Sequence, residues 1–252
     1  MFRPRVIPVL LLENLGLVKT IKFRRPKYVG DPLNAVKIFN DLKADELIFV
    51  DISATRNNRL IPLKLIKEVG EEAFMPFAVG GGISSVKEAE KCIKNGAEKI
   101  ILGYHAVMNP DLINECAKTF GSQSVVVSVD VKRNIFGKSQ VYINNGRKNS
   151  KYDPISWSIN IENSGAGEIF INDINNEGMR GGYDLNLIKL IAESVNIPVI
   201  ACGGAGKLSD LKSAIDAGAH AAAAGSIFVY QGPRMGVLIN YPNNDTLLEI
   251  FQ

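Results

Sequence analysis

The sequence predicts an α/β fold, a barrel of eight parallel strands that alternate with helices, and three observations support this. Eight short apolar runs alternate with amphipathic segments along the chain. Two of the runs end in glycine clusters, Gly80-Gly81-Gly82 and Gly203-Gly204, as buried strands do where the backbone must approach a ligand closely. Matching glycines follow 14 and then 21 positions later, namely Gly96 and Gly103 after Gly82, and Gly218 and Gly225 after Gly204.

The matched glycine spacing indicates an internal repeat, which is informative about the fold as a whole. Glycine pairs also mark ordinary β-α turns, but three coincident positions make that the weaker interpretation. We therefore expect a (β/α)₈ TIM barrel built by duplication of a half-barrel. Residues 1–252 form a single domain in this prediction, with half-barrels at approximately 1–120 and 121–252.

In the first half, each predicted strand is a short apolar run. Residues 6–12 are almost continuously apolar, which suits a strand buried on both faces of a parallel sheet. The next strands are predicted at 46–51, 77–79 and 99–102. Asp31 followed by Pro32 predicts a helix start, because Asp caps the free N–H groups and Pro suits the first turn. Further helices are predicted at 62–72, 86–95 and 110–118.

The second half repeats the alternation. Strands are predicted at 124–130, 168–172, 198–201 and 221–224, and helices at 154–164, 185–194 and 208–217. The stretch 133–151 is rich in Gly, Asn and Lys, which predicts a hairpin excursion rather than a helix.

Bulk composition limits the classes of function. Of the 252 residues 22% are charged, and the net charge of +3 is too small to indicate a nucleic-acid partner. The first apolar run ends too early for a signal peptide or membrane span. The three cysteines form no CxxC pair, which favours the reducing cytoplasm. No metal-ligand spacing and no dinucleotide fingerprint is present in the sequence, so we expect neither a metal nor a cofactor.

Glycine loops after the last two strands predict a phosphate site. In a barrel of this kind the functional face lies at the carboxyl ends of the strands, which we call the top. Gly203, Gly204, Gly225 and Ser226 lie there, in adjacent loops that each lead towards a helix start, where N–H groups favour an anion. The alternative is that these glycines serve only tight turns.

Two aspartates end predicted strands at the same face. Asp130 ends the run 125–129 and is a candidate general acid or base whose pKa is raised by burial. The alternative is an ordinary carboxylate paired with Lys132 or Arg133. Asp51 occupies a similar position and is interpreted as a structural or supporting residue.

Four charged residues mark the starts of strands at the opposite face, the bottom. Arg5, Glu46, Lys99 and Glu168 begin the first, second, fourth and sixth predicted strands. Their side chains would meet in the mouth of the barrel, where two bases and two acids can form a closed ring of salt bridges. By itself such a ring indicates only a stabilising plug.

Several motifs together resemble the cyclase subunit of imidazole glycerol phosphate synthase over nearly the full length. They are RVIPVL at 5–10, GDP at 30–32, DELIFVDI at 45–52, VGGGI at 79–83, TFGSQSVVVSVDVKR at 119–133, SGAGEI at 164–169, GGYD at 181–184 and IACGGAGK at 200–207. The resemblance implies a glutaminase subunit docked under the bottom face. It also implies that ammonia passes through the barrel to a phosphorylated substrate at the top, with the ring of four charges as its gate.

The resemblance also assigns roles at the top. Lys19 matches the family's loop lysine and Asp130 its second catalytic aspartate. Gly82 and Gly178 match substrate-phosphate positions. The first catalytic aspartate, however, is replaced by Leu11, and the family's Asn-Thr pair at one phosphate site is replaced by Gly103 and Tyr104.

The chain thus keeps the ring of four charges but has lost one of the two catalytic aspartates. In this combination it resembles the family branch associated with surface polysaccharides. That branch implies support for acetamidino modification of a nucleotide sugar, with a separate amidotransferase enzyme as a third protein. Two alternatives stay open. One is an orthodox histidine-pathway cyclase that recruits another carboxylate, such as Asp51. The other is a scaffold without catalysis that only activates the glutaminase.

Overall fold

Eight parallel strands close into a barrel in the computed structural model, which describes residues 3–134 and 136–252. The strands are β1 (Arg5–Glu13), β2 (Leu47–Asp51), β3 (Phe77–Gly80), β4 (Lys99–Leu102), β5 (Val125–Arg133), β6 (Glu168–Asp173), β7 (Val199–Cys202) and β8 (Ala221–Ala224). Strand β8 pairs in parallel with β1, where Ala221 is the partner of Arg5, and this pairing closes the ring. The predicted (β/α)₈ barrel is confirmed, and every predicted strand is present.

The principal helices alternate with the strands and cover the outside of the barrel. They are Pro32–Asp41, Leu63–Glu72, Val86–Lys94, Asp111–Phe120, Pro154–Asn163, Leu185–Ala192, Leu208–Asp216 and Asn244–Phe251. The predicted cap is present, because the Asp31 carboxylate accepts a hydrogen bond from the Asn34 N–H at 2.9 Å. In the described part of the chain, no helix has both the length and the apolar character needed to cross a membrane.

Short elements complete the chain and were not predicted. Helices Tyr104–Met108 and Ser226–Val229 each follow a barrel strand directly, and 3₁₀ turns occupy Thr55–Asn57 and Ser122–Ser124. These elements are too short to show a helical period in the sequence. Strands Tyr230–Gln231 and Gly236–Val237 form a small separate hairpin.

Two hairpins rise from the top of the barrel. The first, Gly16–Ile21 with Arg24–Gly30, pairs antiparallel with the end of β1, so that Val18 lies opposite Leu11. The sequence showed only a basic segment in this region. The second, Ser139–Ile143 with Lys148–Asn149, pairs antiparallel with the end of β5 and confirms the predicted excursion. Together the hairpins form a roof over the strand ends.

The barrel strands are buried on both faces, as their apolar runs predicted. Along β1 the side chains of Ile7, Val9 and Leu11 belong to the cluster inside the barrel. Those of Val6, Leu10 and Leu12 belong to the larger cluster between strands and helices. The alternation follows from the two-residue period of a strand, and it places Leu11 inside the barrel near its top.

Gly82 is required by close packing as well as by backbone conformation. Its φ is +72°, and a Cβ there would lie 1.9 Å from the carbonyl oxygen of Arg59. We expect Gly82→Ala to lower the free energy of unfolding by at least about 2 kcal/mol more than Gly232→Ala does. Gly232 is the matched control, because its φ is +69° and nothing lies within 4 Å of the Cβ position. Urea unfolding measures both losses, and equal losses would contradict the packing argument.

Candidate functional site

A cavity opens at the top of the barrel, where the carboxyl ends of the strands meet. Its floor is largely apolar and includes Val9, Leu11, Ile101 and Phe170. The polar groups that reach it include Asp130, Asn172 and Ser128 from β5 and β6, and Phe23 and Tyr142 of the two hairpins contribute to its wall. The cavity therefore combines an apolar floor with a few convergent polar groups, as ligand sites usually do.

Asp130 is the acidic group of this cavity. Its Oδ1 accepts a hydrogen bond from Ser128 Oγ at 3.0 Å. Desolvation by burial raises the pKa of the carboxyl to about 6, although the Ser128 hydrogen bond opposes the rise. A carboxyl group with this pKa exchanges protons near neutrality, as a general acid or base must.

The alternative of an ion-paired Asp130 does not agree with the geometry. Arg133 instead pairs with Asp184 at 2.5 Å. The Lys132 ammonium lies 5.1 Å from the centre of the Tyr142 ring. Among the ion pairs of residues 3–134 and 136–252, none involves Asp130.

The raised pKa of Asp130 predicts a pH-dependent cost to folding. The folded carboxyl holds its proton up to about pH 6, whereas the ordinary value is 3.8, so stability is lost as pH rises between these values. We expect Asp130→Asn to raise the free energy of unfolding at pH 8 by at most about 3 kcal/mol. At pH 3.5 the same substitution should leave the free energy of unfolding almost unchanged. Urea titrations at the two pH values test this. Asp216→Asn, on the outer surface, is the control, and an equal effect of Asp130→Asn at both pH values would contradict the prediction.

The Asp51 carboxylate is held by two neighbouring residues. One oxygen accepts hydrogen bonds from the Ser53 N–H at 2.9 Å and from Ser53 Oγ at 2.8 Å. The other accepts from Arg59 Nη1 at 2.6 Å, and the side chain is only 3% exposed. Three of the roughly four acceptor positions of the carboxylate are thus filled by neighbouring donors. The geometry agrees with the supporting role expected for Asp51.

Leu11 occupies the position from which a second carboxylate would face Asp130. Its side chain is 8% exposed, packs in the apolar cluster inside the barrel and forms part of the cavity floor. Leucine can neither transfer a proton nor stabilise a developing positive charge. Asp130 is thus the only carboxylate without an ionic partner among the described residues that line the cavity.

The four residues of the predicted phosphate cradle come together in the structure. Gly203, Gly204, Gly225 and Ser226 line a second, smaller cavity beside the first. Gly203 and Gly204 have φ values of +95° and +122°, a conformation that favours glycine. A Cβ at Gly204 would lie 2.1 Å from the Gly182 carbonyl oxygen, so close packing also requires glycine there.

Lys19 reaches this cradle from the first hairpin. Its side chain is buried, and its ammonium donates to the Val9 carbonyl oxygen at 3.3 Å. Burial lowers the pKa of the ammonium, opposed by the charge of Glu177. A Cβ at Gly225 would lie 1.8 Å from Nζ, so the lysine is in direct contact with the cradle. The structure therefore brings together a cation and the glycine loops, an arrangement suited to an anion.

Gly178 and its neighbour Glu177 hold the first hairpin over the site. The Glu177 carboxylate accepts hydrogen bonds from Thr20 Oγ1 at 2.8 Å and from the Phe23 N–H at 2.9 Å. A Cβ at Gly178 would lie 2.3 Å from the Thr20 carbonyl oxygen. Close packing against Thr20 is therefore sufficient to require glycine at this position. Gly178 also lines the small cavity, which agrees with the phosphate-binding position that the resemblance implies.

Gly82, Gly103 and Tyr104 also line the main cavity. The Tyr104 ring packs edge-on against His105, with 4.9 Å between ring centres. Tyr104 therefore contributes a bulky side chain to the wall of the cavity.

The four charged residues at the bottom form a closed ring. Arg5 pairs with Glu46 and, at 2.7 Å, with Glu168. Lys99 pairs with Glu46 at 3.1 Å and with Glu168 at 3.2 Å. Glu46 directly precedes β2 instead of opening it, and its side chain is only 3% exposed. Each charge thus contacts two of opposite sign, and apolar side chains fill the barrel between the ring and the top cavity.

Several groups at the top were missed by reasoning from sequence. Asn172 lies beside Asp130 in the register of β6 and β5, and its buried Oδ1 has no partner in the described structure. Asn172 ends a predicted strand, and this position could have indicated that it lies at the functional face. For Arg59 and Tyr142 no signal existed, because each reaches the site from a loop or hairpin. Glu177 did have one, since the resemblance implies an aspartate in its place before Gly178.

Comparison with known proteins identifies a family and several relatives that agree with one another. The family described as "Histidine biosynthesis protein" matches residues 5–233. A Pseudomonas aeruginosa protein, provisionally named as imidazole glycerol phosphate synthase subunit hisF2, is 47% identical over 98% of this chain and 99% of its own. A Leptospira interrogans protein with a similarly provisional name is 43% identical over 100% of both chains. Imidazole glycerol phosphate synthase subunit HisF of Alkaliphilus metalliredigens is 42% identical over 91% of this chain and 92% of its own. The chain therefore belongs to the histidine biosynthesis protein family, among the HisF-like subunits of imidazole glycerol phosphate synthase.

Proposed function

We propose that this chain is the ammonia-delivering barrel subunit of a glutamine-dependent amidotransferase and that it no longer performs orthodox cyclase chemistry. A glutaminase subunit docks under the bottom face and ammonia leaves at the top. The acceptor is a phosphorylated small molecule, a nucleotide sugar that receives an acetamidino group for a surface polysaccharide. A separate amidotransferase protein completes the modification in the cytoplasm. The observation that carries the proposal is the closed ring of four charges opposite a cavity in which Leu11 replaces a carboxylate.

The interior of the barrel suits neutral ammonia. Between the ring and Asp130 the inner side chains are apolar, including Ile48, Ala78, Val126 and Ile200. Transfer of an unpaired ammonium ion into such surroundings is strongly unfavourable, whereas a small neutral molecule incurs a much smaller desolvation penalty. A ring that opens briefly would therefore admit ammonia and exclude its protonated form.

The residues at the top of the barrel support the proposal that cyclase chemistry has been lost. A positioned proton donor or acceptor contributes about 10²–10⁴-fold to rate, and Leu11 can supply none of it. Asp51 is a poor substitute, because Ser53 and Arg59 already donate to both of its oxygens.

An orthodox cyclase is the second candidate, and two observations favour it. Relatives named as imidazole glycerol phosphate synthase subunits match this chain over nine-tenths of their length. Asp130 also keeps a pKa suited to proton transfer.

Cyclase turnover with ammonium salt supplied directly separates the two candidates. Free ammonia bypasses the glutaminase, so the assay tests the top face alone. We expect the native chain to form imidazole glycerol phosphate at least about 100-fold more slowly than an orthodox cyclase does. Ready turnover would reject the proposal and establish the orthodox cyclase.

A further inference from the structure

A groove with strong positive charge lies between the two hairpins of the roof. Six cationic side chains line it, Lys22, Arg24, Arg25, Arg56, Lys132 and Arg147. Neither the cradle near Lys19 nor the ring of four charges belongs to this groove.

The positive charge of the groove is poorly compensated. Glu13 is the one carboxylate in its lining as described, and it lies 3.5 Å from Arg56. Lys132 contacts the Tyr142 ring instead of an acid. For the other four cations, no carboxylate oxygen of the described chain lies within 4.0 Å. Clustered like charges repel one another, and a bound anion relieves that repulsion.

The turn of the first hairpin fixes the backbone that carries two of these cations, Lys22 and Arg25. Lys22 and Phe23 are its two-residue loop, with φ values of +53° and +59°, as the usual turn of such a hairpin requires. Two hydrogen bonds to Glu177 anchor the turn, one from the Lys22 N–H at 3.0 Å and one from the Phe23 N–H at 2.9 Å.

The groove adjoins the cavity of Asp130. Thr20, Phe23, Ile52 and Asn145 line both. One elongated molecule could therefore place an anionic part among the cations and its other end beside Asp130.

We propose that this groove binds the diphosphate of a nucleoside-diphosphate substrate whose other end enters the Asp130 cavity. The inference rests on the proposed function, since it names how the phosphorylated acceptor would be held. A small molecule is favoured over an acidic protein because the cations line a concave groove that shares part of its wall with the cavity. Arginine forks also match phosphate oxygens in paired hydrogen bonds.

Binding of inorganic pyrophosphate and of uridine diphosphate to the purified full chain, measured by calorimetry, tests the proposal. We expect saturable binding of both that weakens with added salt. Arg24→Gln and Arg147→Gln should each weaken it by about tenfold or more, since a hydrogen bond to a charged group contributes on that scale. Lys118→Gln, which removes an exposed cation on an outer helix, is the matched control and should leave binding unchanged.

Three outcomes would overturn the proposal. One is failure of both probes to bind. The second is binding that Ser226→Asp abolishes while the groove variants retain it, which would assign the anion to the cradle. The third is tighter binding of a poly-glutamate peptide than of either probe, which would indicate an acidic protein partner. No glutaminase or ammonia takes part in this assay, so its failure is distinct from failure of the cyclase test above.

Discussion

Lys99→Met is expected to lower the free energy of unfolding by about 3 kcal/mol, because it leaves two buried carboxylates with a single cation. Glu46 and Glu168 are only 3% and 12% exposed, and each loses one of its two partners. Urea unfolding measures the effect.

The surface pair of Lys94 and Glu90 supplies the control. Its N–O distance of 2.7 Å is shorter than either distance from Lys99, but its side chains are 70% and 46% exposed. Lys94→Met should cost no more than about 1 kcal/mol, because exposed pairs contribute little. The double change Glu46→Gln with Lys99→Met should recover part of the loss, since it removes the uncompensated charge. Equal losses for Lys99→Met and Lys94→Met would show that the ring is not a buried network.

Native chain supplied with ammonium salt is expected to form imidazole glycerol phosphate at least about 100-fold more slowly than an orthodox cyclase under the same conditions. Leu11 lies where the resemblance implies the first catalytic aspartate, and Tyr104 lies where it implies threonine. Both side chains line the cavity. We expect Leu11→Asp alone to restore little activity, and Leu11→Asp with Tyr104→Thr to restore more. Steady-state turnover of the three proteins measures this.

Leu11→Asn is the matched control, because it has the shape and polarity of the aspartate without its charge. It should restore nothing in either background. Addition of Asp130→Asn should abolish any activity that Leu11→Asp recovers, since proton transfer needs both groups. Native turnover comparable to that of an orthodox cyclase would contradict our interpretation of Leu11.

The barrel was predictable because its signals are local. Apolar runs, the capping Asp31 and the glycines that end strands each act within a few residues of the chain. The charged ring was predictable for a related reason. Parallel strands bring all their starts to one end of a barrel, so Arg5, Glu46, Lys99 and Glu168 had to meet once the strands were assigned.

The tertiary structure alone decided the chemistry available at the top. Whether Asp130 has an ionic partner depends on where Lys132 and Arg133 point, and no local pattern encodes that. The occupation of Asp51 depends on a loop that returns Arg59 across the strand end. The roof depends on Glu177, which is 157 positions from Thr20 in sequence and 2.8 Å from it in space. The sequence therefore determined the barrel, the charged ring and the replacement at Leu11, because these follow from the order of residues along the strands. Folding decided which carboxylate is free and where the cations of the hairpins lie, because these depend on contacts between segments distant in the chain.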